Sequence, residues 1–358
     1  MRPLTTCFNS RLTGDTTIDH FVICSMATVD NSCAGILEQL ETQNIWTQSY
    51  RFAKSTRKGM LSGIRTWIFF CLHFDFPVYP AQVKHLILFL EFNSQTSKFE
   101  HLKHLIYCVR YLHLCKDIPF PSGSFELETT LQGLKRRLAG TVNQVLPITP
   151  EILRKIYSKL NISQKANLAL WCSFLVTFYC LLRKANSVPE GQDYNVDQIL
   201  ARKHVRLDHK NKMVLIFVGW SKTNQYGNRD LVVPIPSNMD PALDLYRHMC
   251  SLFEKVNVAS DKPAFSFSDK HFVSYSSFTT RLKTLLSSAG VDPAKYSGHS
   301  FRRGGATYLH SLGATPLEIQ ASGDWQTMVF TRYLHLSLED RWRSQQLLAD
   351  AISCSCPE

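Results

Sequence analysis

A few polar side chains in this chain of 358 residues stand where packing alone would not ask for them. Arg183, in Leu181-Leu182-Arg183-Lys184-Ala185-Asn186, closes a stretch that otherwise reads as an almost wholly apolar helix. A cation there complements the helix dipole, an effect worth about 0.3–1 kcal/mol. It is also placed to hold an anion. The second segment runs Gly298-His299-Ser300-Phe301-Arg302-Arg303-Gly304-Gly305-Ala306-Thr307. With a helix beginning near Ser300, His299 sits at its mouth and Arg302 near the end of its first turn, so imidazole and guanidinium converge on one anion at a helix N-terminus. Gly304, Gly305 and Ala306 let another backbone pack close to that helix. The third segment is Gly323-Asp324-Trp325-Gln326, followed by Arg332-Tyr333-Leu334. Thr315-Pro316-Leu317-Glu318 spells a capping box with Pro at N1, which predicts a short helix stopping at Gly323 and places Tyr333 on the helix after it. A tyrosine there either packs half-buried or presents its phenol.

The elements that must position these residues follow from periodicity. Residues 1–40 are rich in Thr, Ser, Asn and Asp with little periodicity and read as a flexible tail. Residues 41–145 are helical: Ser55–Phe74, with Met60, Ile64, Trp67, Ile68 and Cys71 on one face, then Ala81–Phe92 after Pro80, Phe99–Leu114 and Leu127–Leu138. These four helices predict a small bundle. Pro147-Ile148-Thr149-Pro150 marks a boundary, because a Thr cap before Pro starts a helix. Residues 146–358 then give helices over Pro150–Lys159 and Lys165–Leu182, short strands at Val205–Leu207, Met213–Trp220 and Leu231–Ile235, and further helices from Pro241 and Ser276 onward. The fold class is therefore α+β, mostly α: a helical bundle followed by a domain with a small antiparallel sheet.

Composition narrows the functional classes. There are 40 Lys+Arg against 29 Asp+Glu, a net charge of +11. Split by segment this is −2 over 1–40, +6 over 41–145 and +7 over 146–358, so both predicted folded portions are basic. Basic modules suit a polyanion, since neutralised phosphates release counterions, although many basic proteins bind no nucleic acid. The 11 cysteines are scattered without a C-x-x-C pair or zinc-ligand spacing, and read as reduced thiols in an intracellular protein. No metal or cofactor site is expected. The longest apolar stretch, Trp171–Leu182, falls well short of the roughly 20 residues that span a bilayer, so no membrane association is expected.

Taken in order, Arg183, a hairpin Lys222, His299-x-x-Arg302, Trp325 and Tyr333 resemble the signature of the tyrosine recombinase (phage-integrase) superfamily. The resemblance covers about residues 50–345. Its phrasing, "LLRKAN", "WSKTNQYG", "GHSFRRGGAT" and "GDW…RYL", is most similar to the eukaryotic mobile-element recombinases of the Crypton, DIRS and Ngaro types. Lys222 is selected only by this resemblance, since Lys210, Lys212 and Arg229 also occupy the sheet region and spacing does not single it out. Asn186 stands where bacterial members usually carry an acidic residue.

The resemblance implies a SAM-like core-binding bundle and a DNA breaking-rejoining catalytic domain. It implies a site-specific recombinase that cleaves and rejoins DNA through a 3′-phosphotyrosyl intermediate on Tyr333 during integration of a mobile element. Arg183 and Arg302 would hold the nonbridging oxygens, Lys222 would protonate the leaving oxygen, His299 would assist proton transfer and Trp325 would donate one hydrogen bond. Lys135, Arg136, Arg137, Arg303 and Arg332 are candidate DNA contacts. The implied partners are double-stranded DNA and further copies of the chain, in a homotetramer on two DNA sites. There Glu339–Ile352, with Leu347, Leu348 and Ile352, either docks on a neighbour or folds back on its own domain. Lys135-Arg136-Arg137 also suits nuclear import, so a nuclear location is expected. The rival readings are type IB topoisomerase-like relaxation and a host-adapted or decayed DNA-binding protein without strand cleavage.

Overall fold

The computed structural model describes residues 51–140, 144–192, 194–220, 231–325 and 327–334, with isolated positions in 40–47 and 342–349. The chain divides into two compact units, residues 1–141 and 142–358.

The first unit holds α1 (Lys54–His73), α2 (Val83–Ser94), α3 (Phe99–Leu114) and α4 (Phe125–Arg137). Met60, Ile64, Trp67 and Cys71 fall at i, i+4, i+7 and i+11, one stripe of a 3.6-residue helix, and all are buried. They meet Leu86, Phe89 and Leu90 of α2 and Leu102, Leu105 and Val109 of α3 in one core. Pro80 does not open α2 directly. Ala81 gives its N–H to Nε2 of His113 at 2.8 Å and Gln82 is extended, so the helix starts at Val83. Ser124 caps α4 by accepting from the Leu127 N–H, which moves its start ahead of the periodic run.

The second unit opens as its boundary signal predicts: Thr149 accepts from the Ile152 N–H, and Pro150 begins α5 (Pro150–Tyr157). Next comes α6 (Lys165–Tyr179), buried on every side from Leu168 to Phe178, as an all-apolar helix must be. The short α7 (Lys184–Ser187) follows. Strands β1 (Val205–Asp208), β2 (Met213–Val218) and β3 (Leu231–Pro236) form an antiparallel sheet in that order. Val205 pairs with Ile216, and Val218 with Leu231. β2 turns Val214, Ile216 and Val218 inward, and Pro234 is tolerated because β3 lies at a sheet edge. Then come α8 (Leu245–Lys255), α9 (Tyr275–Ser288), α10 (His299–Ser311) and α11 (Pro316–Ser322). The capping box at Thr315 and Glu318 forms as predicted, with the Thr315 N–H donating to Glu318 Oε2 at 2.7 Å.

Two expectations change. α6 ends at Tyr179, and Leu181 takes a left-handed φ of 49°, so Arg183 stands on extended chain at the N-cap of α7 and not at the C-terminal end of α6. Tyr333 is not on an α-helix either. It follows a 3₁₀ turn, Met328–Arg332, and its N–H bonds to the Phe330 carbonyl at 2.7 Å.

Glycines let these elements approach. A Cβ on Gly304 would lie 1.9 Å from the Ile148 carbonyl oxygen, and one on Gly305 would lie 2.5 Å from that of Phe178. α10 is thus pressed against the start of the unit on one side and the end of α6 on the other. Among the described residues no helix is long and apolar enough to cross a membrane.

Candidate active site

Arg302, on the first turn of α10, is the centre of the site and only 3% exposed. Its Nη1 donates to the Leu181 carbonyl and its Nη2 to the Gly323 carbonyl at 2.9 Å. The guanidinium lies 3.8 Å from the centre of the Trp325 ring and 5.3 Å from that of Tyr333. The two rings are themselves 5.4 Å apart.

Both carbonyls come from turns with a left-handed residue. Leu181 has φ 49°, and Asp324, directly after Gly323, has φ 51°. For leucine this conformation costs about 1–2 kcal/mol, whereas Asp tolerates it better. Leu181 is held there because its side chain is wholly buried with Ala306, Ile319, Trp325 and Phe330 in a small core beneath the site. Two strained turns therefore serve one guanidinium, the pattern expected where structure is over-determined for function.

The electrostatics ask for an anion. Burial pulls Arg302 down to about 10, with the Arg183 charge adding to the effect while Tyr333 and Asp324 oppose it. Arg302 thus remains a cation at neutral pH. His299 is lowered from the ordinary histidine value by desolvation, then by the charges of Arg183, Arg302 and Lys184. Its side chain reaches solvent, and the cations around it favour the neutral ring. Two buried donors, Arg302 Nε and Trp325 Nε1, have no acceptor. Leaving a buried N–H unmet costs about 1–3 kcal/mol, which an acceptor oxygen entering the site would relieve.

Arg183 is half-buried and lines a recess with Asn186, Arg302, Gly323 and Asp324. Asn186 donates through Nδ2 to the Trp220 carbonyl at 3.3 Å, tying α7 to the chain just beyond β2. Lys222 lies outside the described residues, as does Glu339–Ile352 apart from isolated positions.

The candidate DNA contacts separate into groups. Arg303, expected to meet DNA, is buried at 7% exposure because its guanidinium is occupied inside the unit. Its Nη1 donates to Gln144 Oε1 at 2.5 Å and its Nη2 to the Leu334 carbonyl at 3.3 Å. It tethers the residue after Tyr333. Arg332 is exposed on the 3₁₀ turn. In the first unit Lys135 and Arg136 are exposed, while Arg137 reaches Glu91 at 2.6 Å and Ser94 at 2.8 Å. Among the described residues no group of three or more His, Cys, Asp or Glu gathers as a metal site.

Solved structures share this architecture. The Tn1549 transposon integrase in complex with transposon right end DNA matches with a TM-score of 0.56 at 12% identity, over 87% of this chain and 98% of that one. XerH site-specific recombinase bound to palindromic difH substrate matches at 0.52 and 14%, over 75% and 70%. A lambda integrase dimer bound to a COC′ core site matches at 0.52 and 13%, over 84% and 76%. The fold is that of the tyrosine recombinases. No protein-family model matches the sequence, and no curated protein resembles it significantly. At such identities the likeness to the recombinases is one of fold. Within this recombinase fold Arg302, Trp325 and Tyr333 meet directly, and Arg183 and His299 act on the same charge cluster. The Leu181 and Gly323 carbonyls were not foreseeable as ligands of Arg302. The sequence offers only Gly323-Asp324 as a hint of an unusual turn.

Proposed function

We propose that this protein is a site-specific DNA recombinase or integrase that breaks and rejoins DNA strands through a covalent link to Tyr333. The observation that carries the reading is the Arg302 guanidinium stacked on Trp325 beside Tyr333, with buried donors unmet and further cations around it. The fold shared with recombinases solved on DNA supports it.

The chemistry assigns each group a task. Tyr333 Oη attacks the scissile phosphorus, forming a P–O bond to the phenol while the P–O5′ bond breaks. A tyrosine phenol ordinarily titrates near 10 (about that in peptides), so the attack needs a proton acceptor and electrostatic help. His299, whose pKa is lowered, is neutral at pH 7 and takes the phenolic proton. Arg183 and Arg302 neutralise the charge that grows on the nonbridging oxygens, and Trp325 Nε1 adds a donor. Lys222 supplies the proton to the leaving 5′-oxygen, a role taken from the family resemblance. Reversal of these steps with another 5′-hydroxyl rejoins the strand.

The partner is double-stranded DNA, with phosphate contacts from both basic units. Copies assemble as a tetramer on two sites with exchange of the C-terminal segment, in the nucleus, on behalf of a mobile element. A nicked suicide substrate built from the DNA flanking the coding sequence tests the reaction. The wild type is expected to accumulate a protein–DNA adduct, and Arg302→Lys to lose about a hundredfold or more of its rate, because Lys supplies neither the fork nor the stack.

A further inference from the structure

Lys184 has no part in the reaction above, yet both its stem and its ammonium are held in place near the site. Its Nζ donates to Thr279 Oγ1 at 2.6 Å and stands 3.5 Å from the centre of the Tyr275 ring. Its stem crosses Gly298, where a Cβ would lie 2.3 Å from Lys184 Cδ and 2.9 Å from Cγ. Gly298 directly precedes His299, the first residue of α10. A lysine usually lays its stem on apolar surface and keeps its ammonium in water. This one is half-buried and fixed at both stem and head, and among the described residues no carboxylate pairs with it. Holding an unpaired ammonium among other cations costs energy, which a packing role alone would avoid with an apolar side chain.

We propose that Lys184 is a positioning residue for His299: its stem, pinned between α9 and Gly298, sets the entry to α10, and its ammonium, held by Thr279 and Tyr275, keeps a fixed positive charge close to the backbone turn from which His299 starts the helix. The charges acting on His299 are Arg183, Arg302 on its own helix, and Lys184 itself. On the α9 side Tyr275 and Thr279 face the lysine. The three cations favour the neutral ring, which is the form that accepts a proton. The role of His299 rests on the recombinase reading, whereas the contact between Lys184 and Gly298 does not.

The test is the titration of His299 in the DNA-free full chain, followed by NMR of the ring protons and assigned with His299→Gln. Lys184→Met keeps the stem and removes the charge, and is expected to raise the His299 pKa by about half a unit. Lys184→Arg keeps the charge and is expected to restore the wild-type direction. Identical titrations in the wild type and Lys184→Met overturn the proposal, whether or not the protein cuts DNA. Where adduct forms, Lys184→Met should move the acid limb of its pH–rate profile to higher pH by the same shift and keep the plateau. A lowered plateau with an unmoved limb marks a merely structural lysine and also overturns it. Gly298→Ala leaves every ionisable group in place and displaces the stem; adduct formation is expected to slow about tenfold or more, and a wild-type rate contradicts the stem's role. Absence of adduct in the wild type would refute the recombinase reading while the titration still decided Lys184.

Discussion

At the scale of single residues, the site is a set of cations gathered around one buried guanidinium. Arg302 is buried, spends two donors on backbone carbonyls and leaves a third unmet, so an acceptor at the site should stabilise the folded state. Sulfate is expected to raise the melting temperature of the wild type more than that of Arg302→Lys, measured at equal ionic strength by differential scanning fluorimetry. The difference between the two proteins removes the general salting effect of sulfate. Equal increments would mean that no anion is held there. Trp325 offers a related check. Trp325→Phe keeps a ring for Arg302 to stack on but deletes the orphaned Nε1–H, so it is expected to slow cleavage while leaving stability within about 1 kcal/mol.

At the scale of elements, the site depends on how closely α10 approaches its neighbours. Gly304→Ala would drive a methyl into the Ile148 carbonyl, which is backbone and cannot swing aside. The expected loss is about 2–3 kcal/mol, read as a lower denaturation midpoint with an unchanged m-value. A midpoint within error of wild type would show that the approach is looser than described. The sequence announced much of this arrangement: the Gly304-Gly305 pair signalled close packing, Thr149-Pro150 signalled the start of the second unit, and Thr315 to Glu318 signalled α11. It was silent where tertiary contacts override local preference. Nothing in Leu181 hints at a left-handed φ, because leucine resists that conformation and only its burial with Trp325 and Phe330 enforces it. Arg303 read as a surface cation for the same reason: its acceptors, Gln144 and the Leu334 carbonyl, are 159 and 31 positions away. The 3₁₀ turn before Tyr333 is another such case, since its tight bonding replaces the helix that spacing alone suggested.

At the scale of the whole molecule, charge and protonation set the working conditions. With a net charge of +11, DNA binding should weaken steeply with salt, by about 10²–10⁴ between 50 and 200 mM for a protein contacting several phosphates. Fluorescence anisotropy on a labelled duplex measures this, and a flat dependence would argue against phosphate-led binding. Acid should also destabilise the fold. His248, buried with its Nε2 3.1 Å from the Ala242 carbonyl, is lowered chiefly by burial, and His204 and His299 are lowered too. A histidine with a folded pKa below its unfolded value binds fewer protons when folded, so stability falls as the pH drops below the unfolded value near 6.5. Denaturation midpoints between pH 7.5 and 5 should decline accordingly, and more shallowly in a folded His248 variant that cannot titrate.

The central claim is that Tyr333 becomes covalently joined to DNA, and trapping that link tests it most directly. On a nicked suicide substrate from its own flanking DNA, the wild type is expected to yield an adduct that survives denaturing electrophoresis and maps by mass spectrometry to the peptide containing Tyr333. Tyr333→Phe is expected to bind the same DNA and yield none. If both proteins bind equally and neither forms the adduct, or if the adduct persists in Tyr333→Phe, the account of this site is wrong.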